Sequence, residues 1–531
     1  MQIEAESQAA AQPASTRTLA VNTLIVMLAF GAAKAISLAQ TFIIANVFGI
    51  GREWDAFVTA NRIPELIFTL IAGGALAHAF IPIFSSFLAR GDRSGAWRTA
   101  SHVINTIFLV TLLVSALAFI GAPWLVANVA APGFDAANQA QTVELMRILL
   151  LSTLIFSISG IVLGILQSHN HFILPALAPI MFDVGLLIGV IFLLPPFGVN
   201  GIALGAVLGA ALHLGIQVPG LIRFRARWHV ELGLRDPALG QVIRLMLPRI
   251  AGLGVFSLNF LVMNNIASRL GEGSVSALDW GWRLMQIPQT LIGTAMGVVI
   301  FPTLSALSAL GDLDGKRDAM SGALRFILVA TIPAAFGLIA VGRPMISLLE
   351  RGAFDASASA LVFSTLQFFT LGLITHSLLE VIARSFYADK DTFTPLWAAL
   401  GGAAINLVGS FTFSAAIGVG GLALANSLGV TFEVVFLLFM LRRRWSGINE
   451  SALGRTLVGA LVASLIMTLA VVLTGNGLAL VLNDGLVPTI ISIGVQALVG
   501  VVVFALAALA LRMREVGDII RIIRQRALKT A

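Results

Sequence analysis

Residues 198–209 read GVNGIALGAVLG and residues 418–429 read GVGGLALANSLG. At an offset of 220 the two strings share Gly201/Gly421, Ala203/Ala423, Leu204/Leu424, Leu208/Leu428 and Gly209/Gly429. The same offset pairs Pro82 with Pro302, Gly91-Asp92 with Gly311-Asp312, Phe134-Asp135 with Phe354-Asp355, and Pro175 with Pro395. One offset that recovers several separated segments marks an internal duplication. Within the quoted strings, Gly201, Gly205 and Gly209, echoed by Gly421, Ala425 and Gly429, put small residues on one helix face, which lets helices approach closely in lipid.

The duplicated unit belongs in a membrane. Apolar residues make up 58% of the 531 and charged residues 11%, against about 25% charged in a soluble globular protein. Apolar runs separated by charged, Pro, Gly or Asn residues fall near 19–48, 57–87, 100–121, 146–168, 173–195, 200–222, 241–268, 277–308, 322–342, 359–386, 393–417, 420–441, 453–474 and 487–511. Each repeat takes six of these, an even number, so the copies run the same way through the bilayer and two spans follow. The chain therefore reads as an all-α polytopic membrane protein with 14 transmembrane helices, two parallel six-helix repeats plus two C-terminal helices. The expected layout is a cytoplasmic tail over 1–18, an N-lobe over 19–222, a C-lobe over 223–441, two further spans within 442–511, and a basic cytoplasmic helix over 512–531. That last helix suits the anionic inner leaflet, with a solvated terminal helix as the alternative. Residues 1–17 lack a basic leading region, so no cleaved signal peptide is expected.

Charge sets orientation. Of 33 Lys and Arg, 23 fall on the side of the N-terminus, five (Arg52, Arg147, Arg269, Arg343 and Arg351) on the other, and Lys34, Arg62, Arg249, Arg283 and Arg384 within spans. This bias puts both termini in the cytoplasm and accounts for the +7 net charge without a nucleic-acid partner. The chain has no Cys and seven scattered His, which leaves no disulfide framework, thiol nucleophile or metal centre. No loop is long enough for a soluble catalytic domain, and residues 311–317 (GDLDGKR) depart from a phosphate-binding loop in spacing and ending. The reading is a transporter and not an enzyme, with no cofactor and with Na+ or the membrane potential as driving force.

An ionisable residue inside a span costs about 2.5–3.5 kcal/mol on insertion scales, so each is a functional candidate. Lys34, Arg62, Arg249 and Arg283 lie in the leading spans of the two repeats, with Asp55, Glu65 and Asp279 as the nearby acids. If the lobes meet through those spans, the cavity between them takes an anion, and guanidinium forks suit phosphate oxygens. Each cation also has a structural reading: snorkelling, an internal pair or, for Arg249 just after Pro248, interfacial anchoring. In the tenth span His376, Glu380 and Arg384 share one face, so Glu380 and Arg384 form either a neutralised pair or a titratable coupling group. Asp183 and Glu433 are isolated acids in other spans, and Asn406 and Asn426 offer oxygens to a sodium ion.

Several motifs resemble the MurJ/MviN family of lipid II flippases. They are Asp55-Ala-Phe with Arg62-Ile-Pro64; Ala79-Phe-Ile-Pro82-Ile-Phe84; Ala131-Pro-Gly-Phe134; Phe172-x-x-Pro175-Ala-x-Ala-Pro179; Arg283-Leu-Met-Gln-Ile-Pro288 with Phe301-Pro302; and Arg384-x-Phe-Tyr-Ala-x-Lys-Asp-Thr-x-Thr-Pro395. The resemblance covers roughly 19–512 and implies fourteen spans around a cationic cavity. It also implies transport of a polyprenyl-pyrophosphate-linked peptidoglycan precursor across the bacterial inner membrane by alternating access. Partners implied are that lipid-linked precursor, membrane lipids, and wall-synthesis or division proteins. The family's cavity arginines are only partly kept: matching positions read Ala33-Lys34, Ser37 and Gln40-Thr41 in the first span and Phe68-Thr69 and Ala72-Gly73-Gly74 in the second. Arg283 is retained, and Arg249 stands where the family is usually uncharged. Flipping another lipid-linked oligosaccharide, extrusion of cationic drugs, and a non-transporting scaffold remain alternatives.

Overall fold

The computed structural model describes residues 36–37, 39–71, 74–169, 171–482, 485–513 and 515–517. Lys34, the tail 1–18 and most of the expected helix over 512–531 lie outside them. Among the described residues every regular element is a helix. We number the helices α1 (Ala39–Phe48), α2 (Arg52–Ile71), α3 (Gly74–Ala89), α4 (Arg93–Ala130), α5 (Ala136–Ser168), α6 (Ile173–Phe197), α7 (Asn200–Arg223), α8 (Pro237–Ala267), α9 (Ser274–Leu310), α10 (Leu313–Ser347), α11 (Ala356–Ala388), α12 (Phe393–Ile417), α13 (Val419–Trp445), α14 (Glu450–Ala479) and α15 (Leu486–Ala510).

Eleven of these are long and apolar enough to cross a membrane, and Pro237–Leu247 with Gly252–Ala267 makes a twelfth if it is one broken span. The first two expected spans account for the rest. Only the end of 19–48 is described, as α1, and within the run 57–87 the residues on either side of 72–73 are described, as α2 and α3. The protein is thus a multi-pass membrane protein.

The duplication is visible helix by helix. Shifted by 220, Ala136–Ser168 lands on Ala356–Ala388 and Ile173–Phe197 on Phe393–Ile417. The matched dipeptides are helix punctuation. Gly91 and Gly311 adopt φ of +74° and +70°, a conformation that ends a helix at little cost only for glycine. The following Asp92 and Asp312 open the next helix, accepting from Gly95 N and Gly315 N, both at 2.8 Å. Asp135 and Asp355 do the same for α5 and α11, accepting from Asn138 N at 2.9 Å and Ala358 N at 2.8 Å. Each cap satisfies an N–H that the first turn leaves open, a contribution of about 1 kcal/mol. The amide of Ala358 and the hydroxyl of Ser357 hold the Asp355 carboxyl below its ordinary value.

The chain packs as two compact units. The first comprises Met1–Ile44, Ile63–Pro123 and Gln141–Ile250; the second comprises Ala45–Arg62, Trp124–Ala140 and Ala251–Ala531. In the first, Phe80, Phe84, Trp97, Val103 and Val242 form a buried core. There the small-residue face of α7 meets α6: a Cβ on Gly189 would sit 2.7 Å from the Gly205 Cα, closer than any side-chain carbon tolerates. In the second unit Ile327, Val381, Phe386, Leu437 and Trp445 are buried together, and Gly402 and Gly429 bring α12 and α13 into the same close approach. Lipid offers apolar side chains as good an environment as another helix does, so packing at this range supplies much of the adhesion.

Candidate functional site

The site assembles within the second unit from α2, α8 and α9. Its register is set by Asp55. This buried carboxylate accepts from Gly273 N at 2.7 Å and from Ser276 N and Oγ at 2.7 and 2.5 Å, so a side chain of α2 caps the N-terminus of α9. Trp54 stacks on Trp280 beside it, with ring centroids 6.0 Å apart. Two turns beyond Asp55 on α2 lies Arg62, and one turn beyond Ser276 on α9 lies Asp279, so the cap brings those two residues level.

Asp279, with a side chain 7% exposed, stands between two guanidiniums. Its Oδ2 accepts from Arg283 Nε at 2.6 Å, an i,i+4 pair along α9, and its Oδ1 faces Arg62 at 3.4 Å. Arg62 is otherwise braced: its Nε points to Asn264 Oδ1 at 3.4 Å, and its guanidinium lies 5.8 Å from the centroid of Phe260. Asn264 is fixed in turn by donating to Thr59 Oγ1 and the Ala130 carbonyl, both at 3.1 Å. The 3.4 Å contacts of Arg62 are loose, whereas the Arg283 pair is tight. The carboxylate of Asp279 thus bridges two guanidiniums. The Arg62 side chain is 14% exposed and that of Arg283 55% exposed. Five residues on, Pro288 removes a backbone donor and the helix widens into a π turn over Thr290–Thr294.

Of the cations expected from sequence, the structure therefore joins Arg62 and Arg283. Lys34 lies outside the described residues, and Arg249 sits in α8 with its side chain outside them. Asp55, expected beside the cations as a substrate contact, has its oxygens engaged in the α9 cap. Asn264 and Thr59 were not anticipated. Asp279 was visible as a nearby acid, and its spacing four residues before Arg283 is the signal that marks it as a bridge.

The expected coupling residues form two separate groups. Glu380 and Arg384 pair at 2.6 Å within α11, and Arg384 fills the space over Gly297. Asn406 donates to Asn259 Oδ1 at 2.7 Å and accepts from Ser410 Oγ at 3.0 Å. Two amides and a hydroxyl bring no formal charge to balance a cation, so this donor set fits Na+ poorly. Among the described residues no group of three or more His, Cys, Asp or Glu could hold a metal ion. Two of the positions where the sequence departs from the resemblance are engaged locally: Thr41 Oγ1 donates to the Ser37 carbonyl at 2.8 Å, and Phe68 packs on Phe156 at 5.5 Å between centroids.

Comparison with known proteins places this geometry. A family model described as lipid II flippase MurJ matches residues 44–483. The lipid II flippase MurJ of Burkholderia cenocepacia is 30% identical over 420 residues, covering 77% of this chain and 81% of that protein. A probable lipid II flippase MurJ of Rhizobium tropici is 29% identical over 509 residues, covering 91% and 92%. A solved lipid II flippase MurJ in an inward closed conformation superposes with a TM-score of 0.77 at 25% identity, covering 91% of this chain and 98% of that one. An inward-facing multidrug resistance MATE family transporter superposes at 0.66 with 16% identity, a likeness of fold alone.

Proposed function

Because the chain belongs to the lipid II flippase MurJ family, we propose that it carries lipid II from the inner to the outer leaflet of the bacterial cytoplasmic membrane by alternating access. The observation that carries the mechanism is the Arg62–Asp279–Arg283 cluster. Arg283 offers its exposed guanidinium to the pyrophosphate, Asp279 fixes its orientation, and Arg62 braces Asp279 from the other side. Lys34 and Arg249 are proposed as further cations on the same path. The 23-to-5 bias of basic residues supports cytoplasmic termini. An interior-negative potential favours expelling an anion by about 2.3 kcal/mol per charge per 100 mV, so the potential suffices as driving force without ATP. The Glu380–Arg384 pair and the Asn406 amide are assigned to holding α8, α11 and α12, and wall-synthesis or division proteins are proposed as neighbours in the membrane.

A second reading, that the chain flips a different lipid-linked oligosaccharide or serves as a scaffold, is favoured by Gln40, Phe68 and Thr69 standing where the resemblance implies arginines. Depleting the resident lipid II flippase of a tractable bacterium separates the two. The account expects this chain to restore outer-leaflet lipid II and growth. Full-length, membrane-inserted protein that restores neither would point to the second reading.

A further inference from the structure

Between α7 and α8, in the first unit, residues 224–236 run without regular secondary structure along α4 instead of looping away. Their backbone is held by a polar ladder on one face of α4, at residues 101, 102, 105 and 106. Asn105 Nδ2 donates to the carbonyls of His229 and Glu231 at 2.7 and 2.8 Å, Thr106 Oγ1 donates to that of Leu232 at 3.0 Å, and Ser101 Oγ accepts from His229 N at 3.0 Å. Trp228 Nε1 donates to Asn105 Oδ1 at 2.8 Å, and the ring of His102 sits over Gly233, whose φ is +57°. Non-helical backbone is tolerated beside a membrane span when protein groups satisfy it in this way.

The side chains sort by chemistry. Trp228, Val230 and Leu234 are 68%, 84% and 74% exposed, an apolar row on a segment tethered at both ends to spans. Of the two acids, Asp236 turns inward, its Oδ2 2.8 Å from His102 Nδ1, whereas Glu231 stays 68% exposed with Oε2 3.5 Å from His102 Nε2. Arg223, Arg225, Arg227 and Arg235 remain exposed at the two ends of the row. An amphipathic segment with a Trp at its start, an apolar middle and basic ends matches a membrane–water interface carrying negative charge.

We propose that residues 223–236 form an interfacial strap that docks anionic phospholipid. The four arginines bind headgroup phosphates, and Trp228, Val230 and Leu234 enter the upper acyl region. The inference is independent of which substrate the protein carries.

Two measurements on the full-length protein test it. In phosphatidylcholine vesicles containing phosphatidylglycerol with brominated acyl chains, wild type should lose more Trp emission than Trp228→Phe, the difference being the strap residue itself. In detergent, replacing Arg223, Arg225, Arg227 and Arg235 by Gln should cut retained phosphatidylglycerol by at least about tenfold, given the attraction of each cation near an anionic surface, and leave phosphatidylcholine unchanged. Equal quenching of wild type and Trp228→Phe would take the strap out of the membrane and overturn the proposal, whether or not the arginine variant folds. Undiminished phosphatidylglycerol, or its displacement by inorganic pyrophosphate at matched concentration, would overturn the headgroup assignment.

Discussion

Asp279 is the residue on which the site turns, because a buried carboxylate that faces two arginines holds charge that neither water nor lipid would hold for it. Removing one partner of such a group costs about 3–5 kcal/mol, and the half-exposed Arg283 places this case at the lower end. Asp279→Asn should lower the melting temperature of the detergent-solubilised protein and abolish flipping. Adding Arg62→Gln should cost less in the Asp279→Asn background than in wild type while leaving flipping absent, since the contact between the two side chains is already lost; strictly additive losses in thermal melts would show that the two residues are not coupled. The sequence made Arg62 and Arg283 legible, because an intramembrane cation stands out against its neighbours. It made Asp279 only partly so, and Asn264 not at all. Asn264 lies 202 residues from Arg62, and a polar residue in an apolar run has no local signal saying which distant side chain it will brace.

At the scale of the helix, the motifs that suggested a duplication turn out to be starts, stops and contact faces. Close packing predicts a sharp contrast within α7: Gly205→Leu drives a side chain into the Gly189 backbone and should collapse the yield of folded protein, whereas Gly215→Ala has no atom within 4 Å and should be silent. Size-exclusion profiles of the two variants check this. Asp391, in the turn before α12, accepts from Thr394 N at 3.0 Å, Thr394 Oγ1 at 2.7 Å and Arg444 at 2.7 Å. Partial burial would raise its pKa, but the Thr394 bonds and the Arg444 charge outweigh it and hold the carboxyl below its ordinary value. A depressed carboxyl adds stability above its unfolded pKa of about 3.9 and loses it as the pH falls through the folded value. Asp391→Ala should therefore melt lower than wild type at neutral pH, by about 1 kcal/mol, and the gap should close as melts are run below that pH. A pH-independent gap would assign Asp391 a purely steric role. Punctuation of this kind is local, so it was readable from the chain.

For the whole molecule, duplication supplied the architecture and the comparisons supplied the cargo; neither alone yields the chemistry of transport. The strap over residues 224–236 was invisible in the sequence reading, since irregular chain held by side chains of another helix leaves no periodic pattern. The central claim is that this fold moves a pyrophosphate-linked lipid with the Arg62–Asp279–Arg283 cluster as its anion site. The most direct measurement is flipping of lipid II in vesicles reconstituted with purified wild type or Arg283→Gln, under an imposed potential negative on the side from which the lipid leaves. The account predicts rapid, potential-stimulated transfer by wild type, and transfer by well-folded Arg283→Gln no faster than in protein-free vesicles. Equal rates for the two proteins would contradict it, by showing that lipid II crosses without the charge that this site was built to present.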